Sequence, residues 1–313
     1  LSQTNPLVSL SIERFSANAK FLITGEYAVL ANITALAVPL KRQQHLEISS
    51  RDDQKFTWKS YDADGSLWFE IESDLGKIKS SQKFDDPTAD KLLAILRHAS
   101  SMSSRDILNQ GFDAVTTLDF NRKYGMGTSS TLISLIAQWA DCDAYQLQFE
   151  HFGGSGFDIA CATAKTPILY NYNDAVPIVK PVIFNPAIKD QLFFVYLNQK
   201  QNSRDSIAKF DPRKLTQELK NELNQMPNRF VQTADSVEDF SKTIERHEEI
   251  ISNLVGLEPV KNRLFPDYKK TMKSLGGWGG DFILVVGDSG DRARFRESGY
   301  SHIYSWDDLV LTD

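Results

Sequence analysis

The sequence predicts an α+β or α/β fold built in two parts, and three observations carry that prediction. Strand-like runs with alternating apolar and polar residues crowd the first third of the chain. Strand and helix patterns then interleave through both halves. At 313 residues, 41% apolar and 24% charged, the chain has an ordinary globular composition but exceeds what one hydrophobic core usually supports.

The elements follow in order. "VSLSIERFSANAKFLITGEYAVL" holds two β-type runs divided by a small, polar corner at residues 16–19. "TALAVPLKRQQHLEISS" has the period-two signature of a half-buried strand. "KFTWKSY" and "LWFEIES" read as a hairpin around the turn at residues 62–65. "PTADKLLAILRHASSM" starts with Pro and Asp and continues with apolar residues at helical spacing, so a helix is expected. "GFDAVTTLDF" is a strand leading into "RKYGMGTSSTLISLIAQWA", helical over residues 131–139, and "DAYQLQFEHF" adds a short helix. "GGSGFDIACATAKTPILYNY" passes from a glycine-rich loop through a helix into a strand. The Pro-interrupted strand material "VPIVKPVIFNPAIKDQLFFVYLNQ" sets the expected boundary between two domains, 1–184 and 185–313. Charged helices follow between residues 214 and 253. The chain then gives "KSLGGWGGDFILVVGD", a glycine loop feeding a strand, and "DRARFRES", the solvated face of a helix.

Composition narrows the function classes. Lys plus Arg number 35 against 41 Asp plus Glu, a net charge of -6, which argues against a nucleic-acid or anionic-membrane partner. Small anions stay possible, because clustered backbone N–H groups bind phosphate inside an acidic protein. Cys142 and Cys161, in apolar settings, read as reduced structural thiols, not a disulfide framework or a zinc site. His45, His98, His151, His247 and His302 are scattered without a metal-binding motif. Trp58, Trp68, Trp139 and Trp306 read as packing residues. No secretion signal or membrane-length apolar run is apparent, so a cytoplasmic protein is expected, monomeric or homodimeric.

The chemistry gathers in three segments rich in small residues. In "GMGTSS", Gly125 and Gly127 permit backbone conformations that a β-carbon hinders, and Thr128, Ser129 and Ser130 fall at a helix start. Hydroxyls there accept from free backbone N–H groups, which makes a helix cap. The same N–H groups, aided by the helix dipole, bind phosphate, and a serine hydroxyl can ligate the Mg²⁺ that accompanies ATP. Taken alone, the segment leaves both readings open, and it is neither a Walker A loop nor the dinucleotide fingerprint. "SANAKFLITGEYAVL" places Lys20 at a strand and Gly25-Glu26 in the next turn. "KSLGGWGGDF" supplies another glycine loop at residues 276–280.

In this order the segments resemble the three motifs of the GHMP kinase superfamily, which includes galactokinase, homoserine kinase, mevalonate kinase and phosphomevalonate kinase. Lys20, Gly25, Glu26 and "YAVL" match the first motif, "GMGTSS" the second and "GGWGGD" the third, while "GGSGFDIA" is similar to the segment carrying the family's acidic residue. The resemblance implies a two-domain fold: an N-terminal ATP-binding domain like a ribosomal protein's, then a ferredoxin-like domain. It implies ATP and Mg²⁺ as cofactors, with the phosphates held by Gly125, Gly127, Thr128, Ser129, Ser130, Gly276, Gly277 and Gly279. Ser129 and Glu150 would ligate the metal. Asp158 matches the catalytic base that takes the substrate hydroxyl's proton, and Lys20 would stabilise the developing charge. Glu26, Ser155 and Gly156, with Lys200, Ser203 and Arg204 of "LNQKQNSRDSI", would face a small anionic metabolite.

The narrower expectation is mevalonate or 5-phosphomevalonate as substrate, drawn from "KYGMGTSS" and from Asp281 closing the third motif. A diphosphomevalonate decarboxylase, a sugar kinase and a catalytically silent binding protein are the rivals. Three departures bear on them. Ala19 precedes Lys20 where the family has glycine, and Trp278 occupies a glycine position of the third loop. The stretch between Ser129 and Asp158 is shorter than usual, so Glu150 matches poorly in spacing.

Overall fold

The computed structural model describes residues 12–80, 83–173, 176–199, 210–276, 278 and 281–312. They divide into two compact units. One comprises Leu1–Ala17, Gln43–Asn121 and Thr131–Phe152, the other Asn18–Arg42, Arg122–Ser130 and Gly153–Asp313. The expected boundary at 184/185 falls within the second unit, after the strand Val176–Pro181.

In the first unit the hairpin forms as expected, from β3 (Lys55–Tyr61) and β4 (Leu67–Asp74), after the long β2 (Ala35–Ser50). The short helix α1 (Leu75–Lys79) and the longer α2 (Pro87–Met102) follow. Asp86 caps α2 by accepting from the Thr88 N–H, and Pro87 sits in its first turn, where a missing N–H costs nothing. β5 (Phe112–Leu118) lies parallel to β3 and antiparallel to β2, with Trp58 opposite Ala114 and Leu46 opposite Thr116. Phe56, Phe112 and Trp139 pack ring on ring in the core of this unit.

β1 (Ile12–Leu22) corrects one expectation, because it passes through residues 16–19 without a corner. Ala17 and Ala19 are fully buried, and the Asn18 side chain donates to the Ala164 carbonyl at 2.7 Å, so this polar residue is satisfied inside a strand. Helix α3 (Thr128–Ala140) begins three residues earlier than its apolar pattern, at the hydroxyl-rich segment itself. Helix α4 (Ala144–His151) follows.

In the second unit, α5 (Phe157–Thr163) leads into β6 (Ile168–Asn173) and β7 (Val176–Pro181). β6 pairs antiparallel with the start of β2 and with β7. The chain then gives β8 (Leu192–Tyr196), α6 (Gln217–Gln232), α7 (Val237–Val255), α8 (Val260–Leu264), β9 (Met272–Leu275), β10 (Phe282–Val286), α9 (Ser289–Glu297), β11 (Ile303–Ser305) and α10 (Trp306–Leu309). The four strands form an antiparallel sheet in the order β11-β8-β10-β9, the ferredoxin-like arrangement. β8 and β10 are buried along their whole length, as uninterrupted apolar strands must be. Helix α7 is capped by Ser236, stopped by Gly256 at φ 67°, and buries one face from Phe240 to Val255. No helix among the described residues is long and apolar enough to cross a membrane.

Candidate functional site

Lys20 links the segments that sequence reading singled out. Its backbone N–H donates to the Met126 carbonyl at 3.2 Å, which holds the 125–130 loop against β1. Its ammonium reaches the Gly125 carbonyl at 3.5 Å and lies 5.1 Å from the centre of the Phe157 ring, at the start of α5. One cation therefore touches both the hydroxyl-rich loop and the helix that carries Asp158. Lys20 and Asp158 are both partly exposed.

The loop itself is shaped by its glycines. Gly125 and Gly127 have φ of 68° and 99°, a region that favours glycine. A β-carbon on Gly127 would meet the Ser130 hydroxyl at 3.0 Å and the Lys20 side chain at 3.2 Å, so the lysine can cross the loop only because that carbon is absent. Ser130 is buried and its hydroxyl donates to the Gly127 carbonyl at 2.8 Å. Ser129, one residue earlier, is exposed at the N-terminus of α3. The two serines thus divide the work: one closes the loop and the other offers a hydroxyl to solvent.

The 153–158 segment is anchored from behind. Ser155 is buried, and its carbonyl accepts from the Tyr170 hydroxyl of β6. Gly156, at φ 81°, turns the chain into α5, whose first turn carries Asp158 with one carboxylate oxygen 3.2 Å from the Ile159 N–H. Burial pushes the Cys161 thiol of the same helix well above its ordinary value, with Lys20 partly opposing the rise and Asp158 adding to it. Cys142, half-buried, and Cys161, buried, are not joined in a disulfide.

The third glycine turn is built differently. Gly276 has φ 70°, and Trp278, at φ 32°, is 2% exposed. The indole packs in a core cluster with Tyr27, Ala28 and Ile33 beside the first-motif turn, Leu223 and Met226 of α6, and Ile250 and Ile251 of α7. Asp281 is buried, and its carboxylate lies where a β-carbon on Gly125 or on Gly276 would fall, at 2.3 and 2.9 Å. Asp281 thus sits against both glycine turns. Tyr124, part of the expected substrate clue, is buried on Tyr196 with ring centres 4.4 Å apart, and it also contacts Phe282 and His302. It packs inward, while Lys123 is exposed. Gly277, Gly279, Lys200, Ser203 and Arg204 lie outside the described residues. Glu150 is exposed on α4, in the first unit.

No family model matches the sequence, and no curated protein does. Solved structures do resemble it. The mevalonate kinase of Methanococcus jannaschii aligns over 98% of this chain and 100% of its own, with a TM-score of 0.67 at 15% identity. The phosphomevalonate kinase of Streptococcus pneumoniae, solved with phosphomevalonate and AMPPNP, aligns over 94% and 99%, with a TM-score of 0.67 at 15% identity. The galactokinase of Lactococcus lactis, solved with galactose, aligns over 97% and 94%, with a TM-score of 0.68 at 11% identity. The fold is that of the GHMP kinases. This agrees with the two-part α+β expectation and with the resemblance of the motifs.

On this GHMP kinase fold the structure adds a group that sequence reading missed. Glu26, expected to face substrate, is instead 2% exposed and ion-paired to Lys273 of β9, itself fully buried. The Lys273 ammonium also reaches Glu248 of α7 at 3.3 Å and donates to the Ser274 carbonyl at 3.1 Å. The Ser274 hydroxyl donates to the second Glu248 oxygen at 2.7 Å, and His247 Nε2 lies 3.2 Å from Glu26 Oε2. Nothing in the sequence marked Lys273 as buried, since "MKSL" is half polar. Its acidic partner was not readable either, because Glu26 stands 247 residues away.

Proposed function

We propose that the protein is an ATP-dependent small-molecule kinase of the GHMP superfamily, acting on mevalonate or phosphomevalonate. The observation that carries the reading is Lys20, which contacts the 125–130 loop and the α5 helix start at once. Phosphoryl transfer depends on positioning and on cations around the group in flight, and this arrangement supplies both. The likeness to mevalonate and phosphomevalonate kinases supports the substrate class.

The residues present fit a nucleotide's phosphates. Two glycines at positive φ open the backbone ahead of α3, whose first-turn N–H groups and dipole favour an anion. Residues 125–130 would hold the phosphates, with Gly276, Gly277 and Gly279 completing the enclosure. The exposed Ser129 hydroxyl would ligate Mg²⁺, which when bound neutralises phosphate charge, and Glu150 is the second candidate ligand. Asp158 would accept the proton of the substrate hydroxyl, and Lys20 would stabilise negative charge as it develops. Ser155 and Gly156 shape the turn that presents Asp158, and Lys200, Ser203 and Arg204 are proposed to read the anionic end of the substrate. A sugar kinase is the second reading, favoured by the likeness to a galactokinase.

The test is ADP release with Mg²⁺-ATP over mevalonate, its phosphates, homoserine and hexoses. Turnover on mevalonate or phosphomevalonate is expected, and Asp158→Asn should lower it about 10²–10⁴-fold while ATP still binds. Release with hexoses alone supports the sugar reading. Release of CO₂ marks a decarboxylase, and silence on every substrate with ATP bound overturns the kinase reading.

A further inference from the structure

The buried acid–base group beneath the first-motif turn holds more than an ion pair. Glu26, His247, Glu248 and Lys273 are each at most 5% exposed. Among the described residues, the titratable or charged groups that face Glu26 are His247 and Glu248 from α7, and Lys273 from β9. Phe230 of α6 presents only a ring, edge-on to the imidazole at 6.0 Å. With both carboxylates ionised and the imidazole neutral, the set carries one uncompensated negative charge in a site without access to solvent. Buried charge of that kind is costly unless neutralised.

The hydrogen bonds show where a neutralising proton fits. Glu26 Oε1 and both Glu248 oxygens have donors in Lys273 and Ser274. Glu26 Oε2 has no donor of its own, yet lies 3.2 Å from His247 Nε2. Nε2 also accepts the Gly25 N–H at 3.3 Å, which requires a lone pair there. With the imidazole's own proton on Nδ1, which has no partner among the described residues, Nε2 is an acceptor facing a second acceptor, and a proton on Glu26 Oε2 turns that contact into a hydrogen bond that shares the Nε2 lone pair with Gly25.

We propose that Glu26 carries a single buried proton on Oε2, directed at His247 Nε2, and that with Lys273 the two act as positioning residues for the phosphate site. Through Gly25 N–H they hold the turn that follows the Lys20 strand, and through Lys273 they fix β9, which feeds the Gly276 turn. The positioning role rests on the functional reading above; the buried proton does not. Burial raises the Glu26 carboxyl to about 7 from its ordinary 4.5, against the pull of Lys273, and burial drives the His247 imidazole well below its ordinary value of 6.5. Both directions agree with a proton on the carboxyl side of the pair.

The pH dependence of stability follows from these directions. Between about 4.5 and 7 the native protein keeps a Glu26 proton that the unfolded chain has released, so this group's contribution to stability falls as pH rises. His247 acts oppositely: below about 6.5 the unfolded chain gains a proton that the native chain refuses, so its contribution falls as pH drops.

The experiment compares thermal midpoints of the wild type and Glu26→Gln from pH 4.5 to 8, and amide exchange at Gly25. The midpoint of the wild type relative to Glu26→Gln should decline across pH 4.5 to 7 and level off above it. Parallel profiles over the whole range overturn the buried proton. His247→Leu should speed Gly25 exchange by about tenfold, and His247→Gln, which keeps an acceptor, should restore most of the protection. Unchanged exchange in His247→Leu overturns the hold on the turn. The positioning role is read separately, as KM for Mg²⁺-ATP across pH 6 to 8. A shift in KM with pH that Glu26→Gln abolishes, at constant kcat, is expected, and identical KM profiles overturn it. Should the wild type bind no ATP, the functional reading and the positioning role fall together, while the midpoint and exchange results still decide the proton.

Discussion

The second and third glycine turns look alike in sequence and differ in what they do with their largest side chains. "GMGTSS" keeps Ser129 exposed at the head of α3, with Lys20 crossing over Gly127. "GGWGGD" turns Trp278 into the core, 2% exposed, among residues of α6, α7 and the first-motif turn. Ser129 faces outward, and Trp278 ties the surrounding elements together. Glycine content alone does not say where the residues among the glycines point. Trp278 is part of the packing around the first-motif turn.

The contrast can be broken first at Trp278. Trp278→Gly relieves a residue held at φ 32°, yet it should destabilise the protein by about 3–5 kcal/mol, because the emptied core outweighs the relieved strain. Denaturant unfolding measures this, and a gain in stability would mean that the indole is not an anchor. A smaller effect is expected where the two turns meet Asp281. Gly125→Ala puts a β-carbon 2.3 Å from the Asp281 carboxylate at a φ of 68°, a cost of about 1–3 kcal/mol, again read by unfolding. Ser129→Ala is the opposite case. Its stability should stay within about 0.5 kcal/mol of wild type, since the hydroxyl is exposed. Its kcat/KM for Mg²⁺-ATP should fall about 10–100-fold, the loss of one contact to a charged group.

The chain's sequence exposed some of this design and hid the rest for physical reasons. Helix and strand periods were readable wherever one face is buried, as in α2, α7 and the β3–β4 hairpin. The corner assigned to residues 16–19 failed because small polar residues also suit a strand when a distant carbonyl, that of Ala164, accepts their hydrogen bond. Lys20, the 125–130 loop and Asp158 each stand in a local motif, and the fold brings Lys20 against that loop and the start of α5. The Glu26–Lys273 pair was not readable, because its meaning lies in a partner that only the fold brings near. Tyr124 shows the same limit: its place before the glycines suggested substrate, but its ring is spent on Tyr196 and Phe282.

The central claim is that the 125–130 loop, with Ser129 exposed at its helix start, binds nucleotide, while Trp278 anchors the third motif in the core and takes no part in binding. Calorimetric titration of Mg²⁺-ATP into wild type, Ser129→Ala and Trp278→Gly tests it most directly, at a temperature where all three are folded. Saturable binding by the wild type, weakened in Ser129→Ala and largely kept in Trp278→Gly, is the predicted result. Equal binding by wild type and Ser129→Ala, or no saturable heat from the wild type, would contradict it.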